Sequence, residues 1–242
     1  LWDWTAFFHY LASPYLAVGA AITLGVSIAS ILLGLLLGLI AALMRLSARP
    51  YLRLPAASYI WLMRGTPVLV QLIVIYTGLP QLGLRMNVIE AAIVGLGVNE
   101  GAYLAEIFRA GIMAVPVGQS EAARAIGLSR WQMMRLVILP QALRIVVPAL
   151  GNAFNGLMKT SSLASVISMD ELLRRSEMLI QVQFKVLEIF LVAALYYLAM
   201  TTAWGCVQAR LERSLARGTE RTDGRTRARD PLELSLPTPD AS

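Results

Sequence analysis

Charge is scarce in this chain of 242 residues. Asp, Glu, Lys and Arg together make up 15% of it, against about 25% in an ordinary soluble domain. That shortage excludes a chain solvated on all sides by charged side chains. The single cysteine, Cys206, excludes an internal disulfide. The single histidine, His9, leaves no histidine cluster to hold a metal. The only lysines are Lys159 and Lys185, and neither follows a glycine. A glycine-rich phosphate loop is therefore missing, and the chain cannot hydrolyse ATP by that route. So short a supply of catalytic residue types also argues against a membrane enzyme.

Long apolar runs are what the chain has instead. Several reach the roughly 18–20 residues that cross a bilayer, so the expected fold is all-α and polytopic, with five transmembrane helices. The spans are read at about Tyr15 to Leu43, Tyr59 to Leu79, Val88 to Phe108, Ile145 to Ile167 and Val186 to Val207. Residues 1–14 carry Trp2, Trp4, Phe7, Phe8 and Tyr10 and are expected at a membrane interface, where Trp and Tyr concentrate. They lack a basic n-region and a small-residue cleavage site, so they do not read as a signal peptide. Because residue 1 is leucine, an initiator or short leader is expected to precede it. Gly34 and Gly38 form a small-xxx-small pair, read as packing between helices of one bundle. Residues 168–185 are polar and read as a short surface helix. The reading makes residues 1–217 one membrane domain and residues 218–242, rich in Arg, Thr, Asp and Pro, a disordered tail.

Arginine placement orients the spans. Arg45, Arg49 and Arg53, the segment from Arg109 to Arg144, and the stretch from Arg210 onward fall on one side. The positive-inside rule makes that side cytoplasmic, with the N-terminus outside and the C-terminus inside. The basic tail is expected to be drawn weakly to anionic membrane lipid rather than to bind nucleic acid, because Glu220, Asp223 and Asp230 interrupt it.

The longest polar interruption runs from Gly118 to Pro140, inside a cytoplasmic loop placed at residues 114–140. It reads as two short helices meeting at a corner. Gly127 suits a left-handed position after the first helix, and Ser129 with Gln132 forms a capping box for the second. Pro140 marks re-entry into apolar sequence. Glu121, Ala122 and Ala123 are read as early in the first helix, where Glu121 would complement the helix dipole.

Polar residues inside spans are expensive and mark either a pathway or a buried network. Asn152, Asn155 and Lys159 recur at i, i+3 and i+7, one face of a helix. They read either as lining of a translocation path or as partners of Glu100 or Glu106. Asn99 and Tyr103 are path candidates because they lie deep in their span, and Gln71 is another. Glu106 and Arg109, one turn apart, read as an intrahelical pair. Arg64 and Thr66 read as structural, because Pro67 frees a backbone carbonyl that needs a donor.

Glu121-Ala122-Ala123, Gly127 and the Val137-Ile138-Leu139-Pro140 ending resemble the EAA loop of bacterial ATP-binding-cassette importer permeases. Arg64-Gly65-Thr66-Pro67 with Val68 to Leu72, Ala102 to Ile112, Val115-Pro116 with Gly118-Gln119, Leu139 to Ala142, and Leu157 to Leu163 resemble the polar amino-acid branch of that family. The resemblance covers about Leu16 to Arg217 and implies a type I importer permease that pairs with a second permease, identical or homologous. It implies a separate ATPase subunit, which would carry the ATP and magnesium while this chain carries no cofactor. An extracytoplasmic binding protein would deliver the cargo. Carried over, Glu121, Ala122, Ala123, Gly127 and Leu128 would contact the ATPase. Thr160 stands where the family often has Asp or Asn, which disfavours arginine or lysine as cargo. The alternative is a self-sufficient secondary carrier or channel, which would be expected to show internal repeats or a carboxylate relay.

Overall fold

The computed structural model describes residues 2–227, and every regular element among them is helical. A short helix α1 (Trp4–Leu11) precedes α2 (Pro14–Leu46), α3 (Pro50–Gly65), α4 (Val68–Ile73) and α5 (Val88–Met113). Then come α6 (Val117–Ala125), α7 (Arg130–Met133), α8 (Leu139–Thr160), α9 (Leu172–Gln183) and α10 (Val186–Arg227). Four stretches are single helices long and apolar enough to cross a membrane: Pro14–Leu46, Val88–Met113, Arg130–Ile167 and Val186–Ser214. The fifth is a bent pair, Pro50–Gly65 with Val68–Leu82, turned by 105°.

Contacts give the spans their directions. Gly34 and Gly38 of α2 meet Gly97, Gly101 and Leu104 of α5 in ascending order, so these two helices run parallel. A Cβ added to Gly38 would come within 2.8 Å of the Leu104 Cβ and 2.9 Å of the Gly101 carbonyl. Only glycine permits that approach, and the small-xxx-small pair is thereby used within the chain. Since α2 and α5 descend together, the bent pair must carry the chain back between them. α8 is antiparallel to α5, with Val146 facing Gly111 and Ala153 sharing a cavity with Tyr103. α10 is antiparallel to α8: Trp204 Nε1 donates to the Gly151 carbonyl and Gln208 Nε2 to Asn152 Oδ1 and the Pro148 carbonyl. The loop after α2, the α6–α7 corner and the exit of α10 thus gather at one basic end of the bundle.

The second expected span is corrected by this arrangement. It is not a continuous helix from Tyr59 to Leu79; it starts at Pro50 and breaks at Thr66, whose backbone is extended at φ −122° and ψ 145°. Pro67 is the cause. It disfavours helical geometry at the residue before it and has no proton for the carbonyl four residues back. That carbonyl belongs to Met63, and the side-chain amides of Gln71 (2.9 Å) and Asn99 (3.1 Å) donate to it instead. The Thr66 hydroxyl donates to the Leu62 carbonyl at 2.9 Å.

Two further expectations change. Pro140 does not divide the corner from the next span. A π-helical turn at Met134–Ile138 joins α7 to α8, and Pro140 sits in the first turn of α8. The π turn shifts the hydrogen-bond register by one residue, which suits a nitrogen without a proton. At the other end, α10 continues to Arg227, so the tail expected from residue 218 has its first ten residues in helix. Residues 228–242 lie outside the described residues.

At the end opposite the basic one, α1 packs against α10. Asp3 caps α1 by accepting from the Ala6 amide at 3.0 Å and pairs with Lys185 at 3.0 Å. Its own amide donates to Glu188 Oε1 at 2.9 Å, and the Tyr196 hydroxyl donates to the Leu11 carbonyl. Trp4 and Phe8 remain exposed, as an interfacial segment requires. The Ala6 amide, and then Lys185, hold the Asp3 carboxyl below its ordinary value of 3.8. A depressed carboxyl contributes stability above its ordinary value and loses it as pH falls through the folded one. Acidification below 3.8 is therefore expected to loosen the N-cap of α1 while its apolar face stays packed on α10, read as a small change in tryptophan fluorescence, and Asp3→Asn should abolish that step.

The surface helix expected at residues 168–185 is α9. Its N-cap, Glu171, is fully buried. Its carboxylate accepts from the Leu173 amide (2.9 Å), the Arg174 amide (2.8 Å), the Thr23 hydroxyl (3.3 Å) and the Tyr197 hydroxyl (3.0 Å). One side chain thus ties α9 to α2 and α10.

Candidate functional site

Two places in the bundle gather the residues singled out above. The first is a cavity of about 670 Å³ between the broken span, α5 and α8. Its walls are Arg64 to Val68 from the break, Asn99, Glu100, Tyr103 and Ile107 from α5, and Ala149, Ala153, Gly156, Leu157 and Thr160 from α8. The geometry follows from the bend. A straight span would fill this space, whereas a 105° turn at Thr66 leaves it open and points irregular backbone into it. Non-helical backbone at membrane depth is tolerated where it is buried in protein or lines such a cavity.

Asn99, Tyr103 and Thr160 line this cavity. Gln71 lies behind the wall: its Nε2 reaches the Met63 carbonyl, the Thr66 carbonyl and the Thr66 hydroxyl, while its Oε1 accepts from Asn99 Nδ2 at 3.1 Å. Gln71 therefore holds the break closed, and Asn99 both braces the break and faces the cavity. The Arg64 guanidinium stacks on the Tyr103 ring, 5.2 Å from its centroid.

The stripe of Asn152, Asn155 and Lys159 is not among the lining residues. Asn152 engages Gln208 of α10, Lys159 is exposed, and Asn155 buries an Oδ1 with no partner among the described residues. Nor does the stripe pair with Glu106, whose carboxylate binds Arg109 at 2.6 Å, as the one-turn spacing predicted. The face that α8 turns inward is Ala149, Ala153, Gly156 and Thr160, at i, i+4, i+7 and i+11. Small residues make room, and the sequence signal that could have found this face was their helical spacing rather than polarity.

The second place is the corner at the basic end. Gly127 adopts φ +80° and nothing lies within 4 Å of where its Cβ would be. The capping box forms as predicted: the Gln132 amide donates to Ser129 Oγ at 3.3 Å and the Ser129 amide to Gln132 Oε1 at 2.9 Å. Glu121 needs a correction. α6 starts at Val117, after Pro116, so its first turn holds no acid and Glu121 falls in the second turn. It gains little from the helix dipole, which decays within one turn. Glu121, Ala122 and Gly127 are exposed, Leu128 is half-buried, and Ala123 is buried against its own chain. Val117 (70% exposed), Ile126 (76%) and Trp131 (71%) stand out beside them. These large apolar side chains were missed by motif reading, and they stand exposed on a polar corner.

A bundle of apolar helices with a broken span beside a cavity, and an exposed corner joined to one cavity wall, is the arrangement of a membrane transport component. Residues 34–217 match the family described as binding-protein-dependent transport system inner membrane component, and the chain belongs to that family. It is similar to a probable amino-acid ABC transporter permease, YckA of Bacillus subtilis, at 40% identity over 84% of this chain and 90% of that one. It is 39% identical to the glutamine transport system permease GlnP of Escherichia coli, over 88% and 97% of the two chains. A crystal structure of an amino acid ABC transporter with histidines superposes with a TM-score of 0.83 and 38% identity, covering 88% of this chain and 99% of that one. The fold is that of an importer permease, a transport subunit rather than an enzyme, and the protein is a multi-pass inner-membrane protein.

Proposed function

We propose that this permease carries a polar amino acid into the cytoplasm by alternating access, driven by a separate ATPase that docks on the α6–α7 corner. The observation that supports this most directly is continuity. The stretch Arg130–Ile167 forms one wall of the cavity and runs without a sharp bend into the corner, so movement at the corner reaches the cavity as rigid-body motion. In this reading the basic end is cytoplasmic and the N-terminus lies outside. Glu121, Ala122, Gly127 and Leu128 meet the ATPase together with Ile126 and Trp131, while Ala123 sets the seat of α6 on its own chain. ATP and magnesium belong to that partner. A second permease, identical or homologous, completes the pathway, and an extracytoplasmic binding protein delivers cargo to the α9 end.

Asn99, Tyr103 and Thr160 form the cargo path, with Gln71 as its brace. The similarity to amino-acid permeases supports the cargo class. Vesicles containing the chain with and without its ATPase test the proposal. Uptake of a polar amino acid is expected only with the ATPase and ATP present. Uptake by the chain alone down a proton or sodium gradient would instead establish a secondary carrier.

A further inference from the structure

A second groove, of about 280 Å³, lies between α2 and α3. Ala41 and Ala56, both buried, line it together with Leu37, Met44, Pro55 and Tyr59. The two alanines leave a depth that larger side chains would fill. The Tyr59 hydroxyl donates to the Val98 carbonyl at 2.6 Å, so it asks for no water. Such a surface favours hydrocarbon. The end of the groove is different. From Arg45 to Arg64 the chain carries four arginines and no acid. Three of them lie at the α2–α3 loop: Arg45 follows Met44 directly, Arg49 is the N-cap of α3, and Arg53 is one turn before Ala56. Arg49 and Arg53 are exposed. None of the three side chains has an ion pair or hydrogen bond among the described residues, and Arg45 buries its Nε without a partner. Glu106 offers no relief, because Arg109 holds it at 2.6 Å. α3 also starts with no side-chain cap and no acid in its first turn, so its dipole adds to the positive charge. Tyr51, 65% exposed, stands among these arginines, as tyrosine does at headgroup level.

We propose that groove and loop form one site for an anionic phospholipid of the cytoplasmic leaflet, with its phosphate among Arg45, Arg49 and Arg53 and an acyl chain in the groove. The choice of leaflet rests on the reading that the basic end is cytoplasmic. The two parts of the site match the two parts of such a lipid in chemistry and in order, with the apolar groove inside the spans and the cations at their end. A phosphate supplies the acceptors that these arginines do not find in the chain, and the guanidinium fork suits it. A small anion would leave the groove unfilled. A zwitterionic lipid would fill it but bring a cation of its own to the arginines. A lipid seated here joins the end of α2 to the start of α3. Since α3 runs as one helix from Pro50 to Gly65, the lipid braces the helix that leads to the break at the cavity wall.

The test uses the assembled permease–ATPase complex in detergent, offered an equimolar mixture of phosphatidylglycerol and phosphatidylcholine with identical chains. Mass spectrometry of the intact complex reads which lipid is retained. Phosphatidylglycerol is expected to be retained at least about fivefold more than phosphatidylcholine. Glycerol 3-phosphate, which has the anion without the chains, should not displace it at equal concentration. Those probes need no mutation and are insensitive to misfolding. Arg49→Gln combined with Arg53→Gln should bring the two lipids close to parity. Arg210→Gln combined with Arg213→Gln removes as much exposed charge from α10 and should leave the preference standing. Equal retention of the two lipids by the wild-type complex, displacement by glycerol 3-phosphate, an undiminished preference in the first double variant, or an equal loss in both double variants overturns the site. Retention in detergent does not depend on sidedness, so the reading beneath is tested separately. Labelling of Ala48→Cys, in a Cys206→Ser background, by an impermeant maleimide added outside right-side-out vesicles would overturn the orientation and leave the lipid site in place.

Discussion

Gly127→Val is expected to leave the chain inserted and assembled but to cut ATP-driven uptake at least about tenfold, while the partner ATPase continues to turn over. A factor of ten corresponds to about 1.4 kcal/mol of lost coupling. The change meets no neighbour, since the space around the Gly127 Cβ position is empty out to 4 Å. What it disturbs is the backbone. A φ of +80° costs an ordinary L-residue roughly 1–2 kcal/mol, and a β-branched one more. The chain can relieve that cost by opening the corner, which changes the angle between α6 and α7 without touching the spans. Glu121→Lys is the companion variant, because it reverses an exposed charge and leaves the backbone alone. Hydrolysis and uptake measured together in vesicles decide the matter. Normal coupling in both variants would remove the docking assignment from this corner.

The second large effect lies at the opposite end. Glu171→Leu is expected to destabilise the folded chain by on the order of 3 kcal/mol, because it removes the acceptor of three donors at once, the Leu173 and Arg174 amides and the Tyr197 hydroxyl. The Leu173 and Arg174 amides lose their cap and the Tyr197 hydroxyl its acceptor, while Thr23 keeps the Gly19 carbonyl at 3.0 Å and the Leu172 amide at 3.2 Å. Thermal unfolding in detergent, followed by tryptophan fluorescence, reads this directly. Glu171→Gln, which keeps one acceptor oxygen, should recover part of the loss. A pH signature accompanies it. Burial pushes the Glu171 carboxyl up, against the pull of its four donors. A raised carboxyl contributes most below its ordinary value, and that contribution disappears as pH rises through the folded one. Glu171→Gln should therefore flatten the decline in melting temperature across that window. Unfolding of the leucine variant at the wild-type temperature would mean that α9 is held by its apolar face alone.

Glu171 also shows how far the sequence could be read. In the linear chain it is one of three acids offsetting Arg174, Arg175 and Lys185, and nothing in its spacing announces burial. Its partners lie 148 and 26 residues away, and only tertiary packing brings them in. Local signals fared better. Gly127, the Ser129–Gln132 box and the Glu106–Arg109 pair depend on residues within a few positions of one another, and each stands as its local chemistry dictates. Apolar length marked the stretches long enough to cross, four single helices and one bent pair. The rotation of α8 about its axis did not, because Asn152, Asn155 and Lys159 mark one face and Ala149, Ala153, Gly156 and Thr160 another. The choice between those faces is made by α5 and α10. Pro67 was visible as a source of a free carbonyl, but a turn of 105° needs two amides from different helices to stabilise it, and one of them comes from Asn99 on α5.

That last dependence bears on how the protein is made. The Met63 carbonyl is released by Pro67 when α3 enters the membrane, yet the Asn99 amide that helps satisfy it belongs to a helix synthesised later. The glycine seam imposes the same order, since Gly38 has no neighbour to receive it until Gly101 and Leu104 arrive. The first spans therefore cannot be stored in the bilayer one at a time in finished form. They reach their final packing only as a set of three, when α5 inserts against α2 and the broken span packs beside the pair. A ribosome paused between residues 82 and 88 would hold an unfinished bundle, with a polar break still waiting for its brace.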